Sequence, residues 1–190
     1  MTLTIRKLIQ SDLFRYAGQA SFKEFVKFYI KNPYFRFQVY LRLSNTRLPL
    51  VAFVFQLLKA GLGKKVNIQL NRNVPVGYGL YIPHGNVVIN SQSQIGNNCS
   101  FLQFSSIGTI HRQPAAILAD NVYVGPNVNI VGAIKIGNNT VLGAGSVIVK
   151  DVVDNVVVVG CPAKPIKNIQ DINQYCENLF SLDFFQGDKQ

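Results

Sequence analysis

Residues 118–153 read LADNVY, VGPNVN, IVGAIK, IGNNTV, LGAGSV and IVKDVV. An aliphatic residue opens each hexad: Leu118, Val124, Ile130, Ile136, Leu142 and Ile148. A second, mostly smaller residue follows four places on, at Val122, Val128, Ile134, Thr140, Ser146 and Val152. A period of six fits neither the pitch of a lone helix nor the alternation of an ordinary strand. It fits an all-β solenoid with three short flat faces per coil, about 18 residues per turn, one side chain at the centre of each face and one near the corner. Residues one coil apart then stack, which sets Ala144 over Pro126.

The pattern extends upstream through Leu70, Val76 and Ile82, then Ile89, Ile95, Phe101 and Ile107. It slips twice. One residue too many separates Ile82 from Ile89, and a longer insertion leaves a loop across Thr109 to Ile117. The two histidines of the chain, His84 and His111, lie at these slips. A solenoid extrudes insertions as loops, and loops on a rigid scaffold are where chemistry is placed.

The hexads, the ending Ser146-Val-Ile-Val-Lys150-Asp151 and the later Val159-Gly-Cys-Pro-Ala-Lys164 resemble the hexapeptide-repeat acyltransferases. The resemblance covers roughly residues 66 to 167 and implies a left-handed parallel β-helix, a fold assembled as homotrimers with active sites in the grooves between neighbouring coils. Within that class, Gly79-Leu-Tyr-Ile-Pro-His84 followed by Val87-Val-Ile-Asn90 is similar to the serine acetyltransferases and their short relatives in surface-polysaccharide gene sets. It implies acetyl-CoA as co-substrate; no metal is expected, because the sequence holds no histidine-carboxylate cluster.

An acetyl transfer to an alcohol needs a base for the hydroxyl proton, two substrates held in line, and a donor for the carbonyl oxygen as it gains charge. Histidine titrates near neutrality and suits the first task. The resemblance makes His84 the general base; the bland alternative is a structural turn residue. Two acids of the serine acetyltransferase pattern are replaced here: Pro83 stands directly before the histidine, and Val66-Asn-Ile-Gln-Leu70 offers Asn67. Ile107-Gly-Thr-Ile-His111 is similar to the loop histidine of galactoside and maltose acetyltransferases, which makes His111 an acceptor contact, a co-catalytic group or a bystander. Acetyl-CoA contacts carry over to Gly125, Pro126 and Ala144 for the pantetheine arm, and to Val149, Lys150, Lys164 and Lys167 for the nucleotide end. Small residues at 125 and 143–145 are the physical precondition for an arm lying against backbone.

All of the +10 formal charge belongs to residues 1–65, which hold twelve Lys/Arg against Asp12 and Glu24. That segment reads as helical from residue 3 to about 61, with Ser11 or Ser21 as caps and Glu24 completing a capping box. Phe22, Phe25, Val26 and Tyr29 form an apolar stripe, and Lys23, Lys27 and Lys31 share another face. Two readings stand: a cap on the solenoid or a neighbouring subunit with a solvated basic face, or a peripheral contact with an anionic membrane surface. Nucleic acid is disfavoured, because no binding motif accompanies the charge. Three cysteines without metal spacing, and an N-terminus without an apolar signal core, point to the cytosol, or to the inner face of its membrane. Cys99 falls on a small-residue position and reads as packing.

The organisation expected is a helical segment (1–65), a β-helix (66–165), and a C-terminal helix from the spacing of Ile166, Ile169, Ile172, Tyr175, Cys176 and Leu179, followed by a frayed tail at 186–190. The function expected is acetyl-CoA-dependent O-acetylation of a surface-polysaccharide sugar. The alternatives are serine acetylation, or a non-catalytic scaffold.

Overall fold

The computed structural model describes residues 3–111 and 113–185; the tail at 186–190 lies outside them. Four helices come first: α1 (Ile5–Ala17), α2 (Phe22–Lys31), α3 (Pro33–Leu43) and α4 (Pro49–Val66). Short strands then wind around three faces. Face A carries β1 (Ile68–Leu70), β2 (Val87–Ile89), β5 (Ser106–Gly108), β8 (Asn129–Val131) and β11 (Val147–Ile148). Face B carries β3 (Gln94–Ile95), β6 (Ile117–Leu118) and β9 (Lys135–Ile136). Face C carries β4 (Ser100–Phe101), β7 (Tyr123–Val124), β10 (Val141–Leu142), β12 (Val156–Gly160) and β13 (Ala163–Asn168). Every pairing is parallel except β12 with β13. The fold is the left-handed parallel β-helix.

The hexad residues do what their spacing requires. Leu118, Val124, Ile130, Ile136, Leu142 and Ile148 are at most 1% exposed and form the core with Ile89, Ile95, Phe101 and Ile107. The second positions Val122, Val128, Ile134, Thr140 and Ser146 are buried beside them. Ile107 aligns with Ile130 across the loop insertion, and Gly145 N–H donates to the Pro126 carbonyl at 2.9 Å, the stacking expected one coil apart.

The corners depend on asparagine. Asn86, Asn98, Asn121, Asn127, Asn139 and Asn155 all have φ near +55°, the left-handed region that only glycine, asparagine and aspartate enter readily. At the corner between faces B and C their side chains form a ladder. Asn98 donates to Asn121 at 3.1 Å, Asn121 to Asn139 at 2.9 Å, and Asn139 to Asn155 at 2.9 Å. A second rung beside it links side chains to the next coil's backbone: Asp120 accepts from Asn97 N–H, Asn138 from Asp120 N–H, and Asp154 from Asn138 N–H.

The first coil would leave its backbone unpaired, and α1 and α3 satisfy it. Arg42 donates to the carbonyls of Val76 and Gly77, Arg15 to those of Gly79 and Asn98, and Gln38 to that of Leu80. Ser11 accepts from Gly79 N–H, Asp12 from Leu80 N–H, and Gln38 from Ile82 N–H. Arg42 also clasps Asp12 through two hydrogen bonds of 2.8 and 2.9 Å. Burial pushes the Asp12 carboxyl up from its ordinary value, against the pull of Arg42. From α4, Lys59 reaches the Leu70 carbonyl at 2.6 Å.

Four expectations are corrected. Arg15, Arg42 and Lys59 are buried, so the basic face is not wholly solvated. Ser11 lies inside α1, whose cap is Thr4; Ser21 caps α2 as expected. The face of α2 is rotated: Phe25, Phe28 and Tyr29 pack inward, while Phe22, Val26 and Ile30 point outward beside the lysines. Finally, residues 166–179 form no α-helix. Pro165 favours extended backbone before it, and the open edge of β12 takes β13 as an antiparallel partner. The chain then returns along face C as a strap with two short 3₁₀ turns, Ile172–Gln174 and Leu182–Phe185. Ile169, Ile172 and Cys176 of the strap cover Val141 and Val157.

Replacing Asn139 by valine is expected to cost about 2 kcal/mol, from left-handed strain and lost ladder bonds, and replacement by glycine about half of that. Urea denaturation checks the order; equal losses would show that backbone conformation is not what the corner residue provides.

Candidate active site

Two places on the solenoid collect the residues singled out by the sequence. The first is the edge between faces C and A. Its corner in the first coil carries His84, in the third Gly125 and Pro126, and in the fourth Gly143 and Ala144. His84 is exposed, and its ring meets the Tyr34 ring edge-on with centroids 6.3 Å apart. The turn holding it fits under the end of α4: a Cβ on Gly85 would strike the Val66 carbonyl oxygen, so this position admits only glycine at the present approach. Asn67, where the serine acetyltransferase pattern has an acid, is the left-handed cap of α4 and donates to Asn86 at 3.2 Å. Among the described residues no side chain hydrogen-bonds to the His84 ring.

Farther along the same edge the wall is bare backbone. A Cβ on Gly125 would lie 2.7 Å from the Leu142 carbonyl oxygen, and Ala144 and Gly145 are exposed. An extended chain can lie there against peptide groups. At about 4.8 Å per coil, the corners of the first and fourth coils lie roughly 14 Å apart, and the corner of the second coil between them carries the exposed side chain of Phe104.

The second place is the open end of the last coil. A cavity of about 290 Å³ is walled there by Val149, Lys150, Val153, Pro162, Lys164 and Pro165. Two exposed ammonium groups at a concave end suit phosphate, each as a point charge. Lys167 does not join them; its ammonium sits 5.3 Å from the centroid of the Tyr175 ring, on the strap side of β13. His111 is also apart. It is exposed, with φ +51°, in the loop that leaves face A toward face B, a different edge from that of His84.

Sequence reasoning missed a cavity of about 230 Å³ on the outside of face C, next to His84. Tyr81, Tyr123 and the strap residues Tyr175 and Glu177 line it with Arg15. No local signal reveals it, because the strap joins the wall only after folding.

Residues 115–150 match the family described as "Bacterial transferase hexapeptide (six repeats)". The match spans β6 to β11 of the β-helix. Its sequence is similar to a serine acetyltransferase of Synechococcus elongatus (33% identity, over 65% of this chain and 51% of that protein). It is also similar to serine acetyltransferase 4 of Arabidopsis thaliana (32%, over 68% of this chain and 38% of that protein). The crystal structure of Neisseria gonorrhoeae serine acetyltransferase superposes with a TM-score of 0.73 at 27% identity, covering 90% of this chain and 69% of that one. The chain thus spans about half or less of the length of these curated relatives. No helix among the described residues is long and apolar enough to cross a membrane, and no His/Cys/Asp/Glu cluster among them could hold a metal ion.

The thiols differ sharply. Burial pushes Cys99 up to about 12 and raises Cys176 as well, while Cys161 is exposed at the β12–β13 turn. A thiol-labelling reagent at pH 8 is expected to modify Cys161 rapidly in the folded protein and the other two only on denaturation; rapid labelling of Cys99 would contradict the packing described.

Proposed function

We propose that this protein is an acetyl-CoA-dependent O-acetyltransferase, with L-serine the first acceptor to test. The observation that carries the reading is the shared edge: His84 stands at one end of a track whose later corners, Gly125-Pro126 and Gly143-Ala144, are backbone and small side chains. The serine acetyltransferase relatives favour serine over the polysaccharide sugar expected from the sequence. The sugar remains the second reading because Pro83 and Asn67 replace the two acids of the serine pattern.

In this mechanism the His84 imidazole takes the proton of the acceptor hydroxyl as its oxygen attacks the thioester carbonyl carbon. The tetrahedral intermediate, its oxyanion held by a backbone N–H at a coil corner, collapses by breaking the C–S bond. The thiolate of coenzyme A leaves and is protonated by the imidazolium, which restores the base. Gly125, Pro126 and Ala144 hold the pantetheine arm, Val149 lies beside it, and Lys150 and Lys164 meet the phosphates. Lys167 is the weakest member of that set, since its ammonium is over Tyr175.

The working assembly is a homotrimer in which His111 reaches the groove of a neighbouring copy. Its place on another edge from His84 supports that arrangement. The exposed row Phe22, Val26 and Ile30 beside Lys23, Lys27 and Lys31 supports an additional peripheral contact with an anionic membrane surface.

Thiol release from acetyl-CoA with L-serine is the direct assay. Replacing His84 by alanine is expected to lower kcat by about 10²–10⁴-fold; unchanged turnover would sink the mechanism. The Lys150→Ala, Lys164→Ala double variant is expected to raise the acetyl-CoA KM about tenfold with little change in kcat, and an unchanged KM would remove both lysines from the donor site.

A further inference from the structure

The cavity beside His84 is built by register. Tyr81 pairs with Ser100, and Ser100 with Tyr123, so the three side chains form one column on the outer surface of face C. The small Ser100 between two tyrosines leaves a notch. The strap roofs it with Tyr175, Cys176 and Glu177, and Pro83, His84 and Leu102 line the same space of about 230 Å³.

The chemistry of the walls is specific. Arg15 passes beneath, and four of its five N–H groups are taken, by the carbonyls of Gly79, Asn98 and Glu177 and by Ser100 Oγ, which fixes the strap. The Glu177 side chain is exposed, and among the described residues it forms no ion pair. Tyr81, Tyr123 and Tyr175 each keep a hydroxyl that hydrogen-bonds to no protein group among the described residues. Arg15 already lies over the Tyr81 ring and Lys167 over the Tyr175 ring; what attracts an ammonium group here is the Glu177 carboxylate, through a charge-assisted hydrogen bond, together with the Tyr123 ring.

We propose that Glu177, with Tyr81, Tyr123 and Tyr175, forms an ammonium subsite under the strap that presents the hydroxyl of an amino-alcohol acceptor to His84. The inference rests on the reading of His84 as the base. It places the acceptor's positive end on a segment 93 residues away in sequence, where the acids missing at positions 67 and 83 are replaced by one from the C-terminus. Glu177 is a binding residue, and Arg15 positions it through its backbone carbonyl.

The test is steady-state acetyl transfer with L-serine, and with D-glucose as a hydroxyl probe that lacks an ammonium. Glu177→Gln keeps the backbone carbonyl on Arg15 and is expected to preserve the thermal midpoint. It should raise the serine KM by about tenfold, the loss of one charge-assisted contact, and leave the acetyl-CoA KM unchanged. Glu177→Asp should recover part of the loss. An unchanged serine KM in Glu177→Gln, with turnover abolished by His84→Ala, would overturn the subsite and leave the base reading intact. Full activity in His84→Ala would overturn the base, and the subsite with it. Turnover of glucose in preference to serine by the unmodified protein would also overturn the ammonium subsite.

Discussion

Everything in this molecule leans on the exposed backbone of one coil. A parallel β-helix pairs each coil with the one above and the one below, so its first coil lacks a partner on one side. Between Val76 and Ile82 eight backbone groups are taken up by six side chains, Ser11, Asp12, Arg15 and Tyr16 from α1 and Gln38 and Arg42 from α3. An unpaired buried peptide group costs about 1–3 kcal/mol, so the helices are a requirement of the solenoid as much as an addition to it. The same contacts fix the segment from Gly79 to Ile82, so the candidate base stands two residues beyond a heavily anchored stretch of the first coil.

The charge of the N-terminal segment acquires a different meaning from this arrangement. Arginine is suited to the task, since its planar fork reaches several carbonyls at once. Arg15 and Arg42 are 2% and 5% exposed, and one of the segment's two acids, Asp12, is held inside the same network. Part of the positive charge is therefore structural. What remains on the outside sits chiefly with Lys23, Lys27, Lys31, Arg47, Lys64 and Lys65, close to the uncovered apolar side chains of α2 and α4 such as Phe22, Leu50, Phe53 and Leu57.

The repeats were legible in the sequence because a buried centre of each face demands one aliphatic residue per hexad, and Leu118 through Ile148 supply it without a gap. The corner pairs Asn97-Asn98, Asp120-Asn121, Asn138-Asn139 and Asp154-Asn155 went unread in the sequence, because only the turn geometry gives them a role. The strap was misread because apolar residues three or four apart fit a helix and also fit a chain laid in 3₁₀ turns over Val141 and Val157. Burial of Arg15 and Lys59 was beyond reach, since their partners are backbone carbonyls, which leave no trace in the side-chain pattern. Of the candidate site, His84 was readable through its place at a slip in the repeat and through the family resemblance, and the corner glycines through spacing; Glu177 was not, because only the return of the chain along face C brings it near.

That return has a topological side. Phe180 and Phe184 pack on Phe14, and Lys7 lies 4.7 Å from the Phe185 ring centroid, so the last described turn touches the first helix. An ordinary solenoid is a linear stack with two loose ends from which coils can peel. Here the stack is closed into a ring of contacts, helices to first coil, coil to coil, last coil to strap, and strap to helices. The first helix and the last described turn are neighbours in space, and peeling at either of them has to break the same clasp.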